Sequence, residues 1–179
     1  MQAEFTLPGR IYAAIQSFAA KNDVRYYLNG VHAVSNGHRV TLEATSGHKA
    51  ISYTLDHECG PFDVILPLVK VGKKNDVTVV VDEALNRAWV QQGAWAMPPI
   101  DGTFPDVSRV MPDAEECSGE QMAFDPCLLA SAYQALEEIR KGEGLFYAPT
   151  RLHSNGENGA LLTARAMPHV TTVVMPMRD

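Results

Sequence analysis

The residues that could do covalent or metal chemistry have spacings that limit each in turn. His32, His38, His48, His57, His153 and His169 are scattered, with none of the short intervals that bring two imidazoles to one metal ion. His57-Glu58-Cys59 gathers a base, a carboxylate and a thiol, the ingredients of nucleophilic catalysis, but it stands alone beside Gly60-Pro61, where a solvated loop is the simpler reading. Cys59, Cys117 and Cys127 are odd in number and lack CxxC spacing, so reduced thiols are expected rather than a disulfide framework or a zinc site. No phosphate-binding loop, nucleophile elbow or dinucleotide fingerprint is present. The expectation is a protein with no catalytic residue, no metal and no cofactor.

The chemistry that remains is non-covalent. Val173-Val174-Met175-Pro176-Met177 offers an apolar wall in which the methionines adapt to irregular partners and Pro176 keeps the chain extended. Taken alone, such a run is also the pattern of a buried strand. Lys70, Lys73 and Lys74 form a small cationic group able to touch phosphate, and equally a solvated turn. Glu115-Glu116 and Glu137-Glu138 read as exposed charges.

These groups need elements to position them. Residues 4 to 20 predict a strand and then a helix, with Pro8 in the first helical turn and Ile11, Ala14, Ile15, Phe18 and Ala19 on one face. From Val24 the period changes to two: Val24, Tyr26 and Leu28, then Val40, Leu42 and Ala44, then Ile51, Tyr53 and Leu55, with a tight hairpin at Asn36-Gly37. A second unit of the same kind follows later. Asp125-Pro126 predicts a capped helix start, Leu128, Leu129, Ala132, Tyr133, Leu136 and Ile139 continue it to Gly142, and strands are expected at 145–148, 161–164 and 170–175. Phe5 and Phe124, and likewise Ser35-Asn36-Gly37 and Ser154-Asn155-Gly156, lie 119 residues apart, which marks an internal repeat. Between the units, strands are expected at 63–66, 77–81 and 88–92, while residues 68–75 are too few and too rich in β-branched side chains for a helix.

A chain of 179 residues with 46% hydrophobic and 20% charged residues has globular composition. It has no run of about 18 apolar residues that could span a membrane. Its acidic start lacks the layout of a signal peptide, so a cytoplasmic protein is expected. The net charge of -6 argues against wrapping a phosphate backbone through overall charge, though a local basic face remains open.

Five strings in order resemble the bacterial DNA sliding clamp, the beta subunit of the replicative polymerase. They are Glu4-Phe5-Thr6-Leu7-Pro8, Asp23-Val24-Arg25-Tyr26-Tyr27-Leu28-Asn29-Gly30, Ala44-Thr45-Ser46-Gly47-His48-Lys49, the stretch from Asp101 to Pro112, and the stretch from Val173 to Asp179. The resemblance implies an α+β fold of curved antiparallel sheets with helices on one face, built from repeated strand-helix-three-strand units. It implies residues 1–112 as a middle-domain-like part, 113–118 as a connector, and 119–179 as the second half of a last-domain-like part.

In clamps, a groove between those domains captures short peptides of polymerases, the clamp loader and repair proteins. The matching positions here are Leu28, Thr45, Gly47, His48, Lys49, Pro105, Arg109, Val110, Val173, Val174, Met175, Pro176, Met177 and Arg178. Lys49 stands where the family usually has Arg, Ala50 where a larger aliphatic residue is usual, and Asp179 where an apolar one is. An inserted Leu or Phe anchor contributes about 1.5 to 3 kcal/mol, so two anchors give roughly micromolar capture after association costs. Encircled duplex DNA would meet Arg10, Lys21, Lys70, Lys73 and Lys74. The resemblance therefore implies a homo-oligomeric ring acting as a processivity factor. The alternative is a non-encircling protein that sequesters clamp partners or docks on a host clamp.

Overall fold

The structure, a computed structural model, describes residues 2–91, 96–112, 122–155 and 158–177. β1 (Gln2–Pro8) runs directly into α1 (Gly9–Gln16), and β2 (Gly30–Ser35), β3 (Arg39–Thr45) and β4 (Lys49–Asp56) complete the first unit. Pro8 ends the strand with ψ 134 instead of opening the helix, and the Gly9 N–H donates to the Asn75 carbonyl at 3.0 Å. The predicted helix face is correct: Ile11, Ala14, Ile15, Phe18 and Ala19 are all buried, together with Tyr12.

The strand expected from Val24 to Leu28 does not form. Val24 is 95% exposed, and residues Tyr26–Leu28 make a 3-10 turn. Local side chains outcompete a ladder here. The Asp23 carboxylate accepts from the Arg25 backbone and guanidinium, while the Asn29 amide bonds both the N–H and the carbonyl of Asp23. Alternation then begins at Gly30, and Gly37, at φ 99, turns the chain into β3.

β5 (Phe62–Pro67), β6 (Asp76–Asp82), β7 (Arg87–Gln91) and the short β8 (Ala96–Met97) follow, with no helix over 68–75 as expected. Gln92, the last residue of a predicted strand, lies outside the described residues, as do 113–118, Cys117 and Gly156. α2 (Pro126–Gly142) is capped by Asp125, whose carboxylate accepts from the Cys127 and Leu128 N–H groups. Residues 145–148 are not the predicted strand. Arg140 donates to the carbonyls of Leu145 and Phe146, the latter at 2.9 Å, leaving Phe146 and Tyr147 exposed. The strand is β9 (Thr150–His153) instead, followed by β10 (Ala160–Ala164) and β11 (Val170–Val174).

Two antiparallel sheets result, in the orders β1-β6-β7-β8 and β5-β2-β3-β4-β11-β10-β9. The β4–β11 pairing, from Lys49 opposite Val174 to Tyr53 opposite Val170, fuses the two repeat units into one sheet. Both sheets turn an apolar face onto the helices. Phe5, Leu42, Ile51 and Val79 share a single core with Leu136, Ile139 and Leu162, each fully buried large side chain contributing about 1.5 to 3 kcal/mol. The helices pack so closely that a Cβ on Gly142 would stand 2.9 Å from Ile11 Cγ1. Among the described residues, no helix is long and apolar enough to cross a membrane.

Candidate functional site

Strand alternation divides the last two strands between two environments. Val174 is fully buried on the helix side, whereas Val173, one residue earlier, joins Ala50, Ile65, Phe104 and Val107 in a separate apolar cluster on the opposite face of the sheet. Ala50, Val107 and Val173 of that cluster floor an open groove of about 240 Å³. It is lined by Arg25, Tyr27, Leu28, Thr45, Gly47, Lys49, Ala50, Pro105, Asp106, Val107, Val110, Val173 and Met175.

Three pieces of local chemistry build its walls. In the β3–β4 turn, Thr45 Oγ1 donates to the Lys49 carbonyl at 3.0 Å and accepts from the Gly47 N–H at 3.1 Å. Gly47 sits at φ +83 and its bare Cα lets the Arg25 guanidinium lie alongside, since a Cβ there would be 3.2 Å from Nη2. On the other wall, Asp106 caps the 3-10 turn Val107–Val110, accepting from the Ser108 N–H at 3.1 Å. The Ser108 hydroxyl and the neighbouring Arg109 guanidinium hold the Asp106 carboxyl below the usual carboxylate range. Behind both, buried Gly159 permits close approach of three segments. A Cβ at Gly159 would meet Val173 Cγ2 at 2.6 Å, Met175 Sδ at 3.2 Å and the Val110 carbonyl at 3.4 Å.

Of the residues named from sequence, the structure brings Leu28, Thr45, Gly47, Lys49, Pro105, Val110, Val173 and Met175 to this groove. The others fall elsewhere. His48 is exposed and reaches the C-terminal segment through its carbonyl, which accepts from the Met175 N–H at 3.1 Å. Arg109 points to solvent beside Asp106, Val174 faces the core, and Pro176 and Met177 follow the last strand, with Met177 58% exposed. Arg178 lies outside the described residues.

Lys49 divides its roles. Its ammonium turns to the helix side, donating to Ser131 Oγ at 2.8 Å over the Phe18 ring, and partial burial with nearby Lys21 lowers its pKa. Gly159 carried no sequence signal, because the reason for a glycine there is a contact between distant segments. Asp106 had one: an Asp two residues before Ser108 is a capping pattern.

The proposed DNA contacts are unevenly available. Arg10 and Lys73 both pair with the Glu138 carboxylate, at 3.0 and 3.5 Å, whereas Lys21, Lys70 and Lys74 are exposed. Among the described residues no group of three or more His, Cys, Asp or Glu side chains is placed to hold a metal ion.

Over 125 residues the chain is 33% identical to the beta sliding clamps of Salmonella typhimurium and Escherichia coli strain K12, covering 62% of this chain and 34% of each relative. Its similarity is to a bacterial sliding clamp. The Pseudomonas aeruginosa clamp is 35% identical over 108 residues. A crystal structure of the Pseudomonas aeruginosa DNA polymerase sliding clamp superposes with a TM-score of 0.73 at 19% identity, covering 99% of this chain and 66% of that one. The clamp-type α+β fold is thereby established for nearly the whole chain. The chain spans about a third of the length of the curated relatives it matches. No protein-family model matches it.

Proposed function

We propose that this protein is a sliding-clamp-like processivity factor of DNA replication or repair, and that its groove captures the clamp-binding peptides of polymerases, a clamp loader or repair proteins. The observation that carries the reading is the apolar groove itself, where Leu28, Val110, Val173 and Met175 converge from three separate segments. A pocket of this size accepts one or two aliphatic or aromatic anchors, which sets affinity in the roughly micromolar range. Thr45, Gly47, Pro105 and the Met175 backbone supply the polar and shape complement, with His48, Arg109, Pro176, Met177 and Arg178 as the outer contacts of a longer peptide.

In this reading residues 1–112 correspond to a clamp middle domain, 113–118 to a connector and 119–179 to half of a last domain. The protein is cytoplasmic, non-catalytic and acts as a homo-oligomeric ring on duplex DNA. Lys21, Lys70 and Lys74 make the phosphate contacts, while Arg10 and Lys73 are partly neutralised by Glu138. Similarity to replicative clamps supports this reading over sequestration of clamp partners.

Fluorescence anisotropy with a labelled clamp-binding peptide tests it. Binding at micromolar concentrations is expected, with a loss of at least tenfold on Val110→Asp, which places a charge on a half-exposed groove wall. Equal affinity of wild type and variant would refute the groove assignment. Light scattering tests the ring, which a monomer at micromolar concentration contradicts.

A further inference from the structure

His32 sits on β2 between two carboxylates, one from each flanking strand. Its Nδ1 lies 3.2 Å from Glu43 Oε2 on β3, and its Nε2 lies 2.9 Å from Asp63 Oδ1 on β5. Ionised carboxylates only accept hydrogen bonds, and a neutral imidazole has a single N–H. In either neutral tautomer one ring nitrogen would therefore turn its lone pair on a carboxylate oxygen. Only the imidazolium donates to both. Burial opposes its charge, but the two carboxylates outweigh burial and keep the ring protonated to higher pH than an ordinary histidine. Among the described residues, the titratable groups around the ring are Glu43 from β3, Asp63 from β5 and Asp101 from the segment after β8, which lines the same hollow; all three are acids.

The flat face of the ring is occupied too. Phe104 stacks on it with centroids 4.8 Å apart and planes 19° from parallel. Phe104 is buried in the same apolar cluster as Ala50, Val107 and Val173, and the next residue, Pro105, lines the groove. On the other side of Phe104 the segment is tied at Ile100, whose N–H donates to the Ile65 carbonyl at 2.8 Å. Phe104 thus links β2 to the groove wall formed by residues 105–110. A cation over an aromatic face is attracted to it, and a neutral imidazole loses that attraction. Loss of the proton also leaves one carboxylate facing a lone pair, which favours rotation of the ring away from the plane that Phe104 matches.

We infer that His32 is a positioning residue for the groove: its imidazolium, bridging Glu43 and Asp63, holds Phe104 and with it the 105–110 wall, which loosens when the proton leaves. His32 itself does not line the groove, so the effect passes through Phe104. The consequence for peptide capture, which rests on the groove reading above, is an affinity that falls as pH rises.

Two measurements on the full chain between pH 6 and pH 9 test it. Without ligand, heteronuclear NMR follows the His32 ring and the amides of Phe104 and of residues 106–110. These amides should shift with the midpoint of His32, and Glu43→Gln should lower that midpoint for ring and amides alike. Anisotropy with a labelled clamp-binding peptide that has blocked termini and no histidine should show affinity falling about threefold across the range. His32→Gln should hold the lower affinity at every pH, whereas titration of the exposed His48 would leave the slope intact in that variant. Three results would overturn the inference: amides that ignore the His32 midpoint, a midpoint untouched by Glu43→Gln, or peptide affinity that is flat in the wild type or still sloping in His32→Gln. Absence of peptide binding at every pH would instead remove the groove reading, and the amide titration would then decide the inference by itself.

Discussion

The close approach at Gly159 permits a quantitative test of how the groove is assembled. In Gly159→Ala the new methyl would fall 2.6 Å from Val173 Cγ2, well inside contact distance, and Val173 is 1% exposed on a strand where its β-branched side chain has little rotamer freedom. Overpacking of this kind costs about 1 to 3 kcal/mol, offset by about 0.4 to 1 kcal/mol from the stiffer unfolded chain, for a net loss of about 1 to 2 kcal/mol. Val173→Ala alone removes two buried methyl groups and leaves a void, costing about 2 kcal/mol. Together the changes should compensate, because the methyl on residue 159 enters the volume that Cγ2 vacates. Equilibrium urea unfolding of the two single variants and the double variant is the assay. The double variant should be more stable than the sum of the single losses predicts by about 1 kcal/mol or more. Additivity within about 0.3 kcal/mol would refute the claimed contact and, with it, the role of Gly159 in setting the groove wall.

Other consequences can be checked on the same material. The Tyr12 hydroxyl is buried with no hydrogen-bond partner among the described residues, and burial pushes its pKa up, so Tyr12→Phe should raise stability by about 1 kcal/mol; a loss in urea unfolding would mean that the hydroxyl is satisfied. Asp125→Ala removes the cap of α2 and should cost about 1 kcal/mol, measured the same way, with no loss expected only if the helix start is not held by that carboxylate. Burial lowers the pKa of His32, but the flanking Glu43 and Asp63 carboxylates outweigh it and the net shift is upward. Its contribution to stability is therefore full below the unfolded value near 6.5 and fades as pH rises through the higher folded value. His32 also stacks on Phe104 at 4.8 Å, so the stability gap between wild type and His32→Gln should shrink from pH 6 to pH 9; a constant gap would refute it.

Much of the architecture follows from short-range rules that a sequence displays. The Asp125-Pro126 cap, the apolar face from Ile11 to Ala19, the Asn36-Gly37 turn and the 119-residue repeat each depend on neighbours within a few residues or on self-similarity, and each has its counterpart in the structure. The clamp-like strings likewise marked Leu28, Thr45, Gly47, Pro105, Val110, Val173 and Met175 before any contact between them was visible. Local hydrogen bonds misled the periodicity where side chains claim the backbone first, as Asp23 and Asn29 do before β2 and Arg140 does after α2. Tertiary structure alone decided which side of the sheet each residue of a shared strand serves. Val173 and Val174 are chemically identical, yet the pleat sends one to the groove and the other to the core, and Lys49 lends the groove its backbone turn while its ammonium crosses to Ser131. Gly159 belongs to the same class. It is defined by what distant segments bring against it, and no local pattern encodes that.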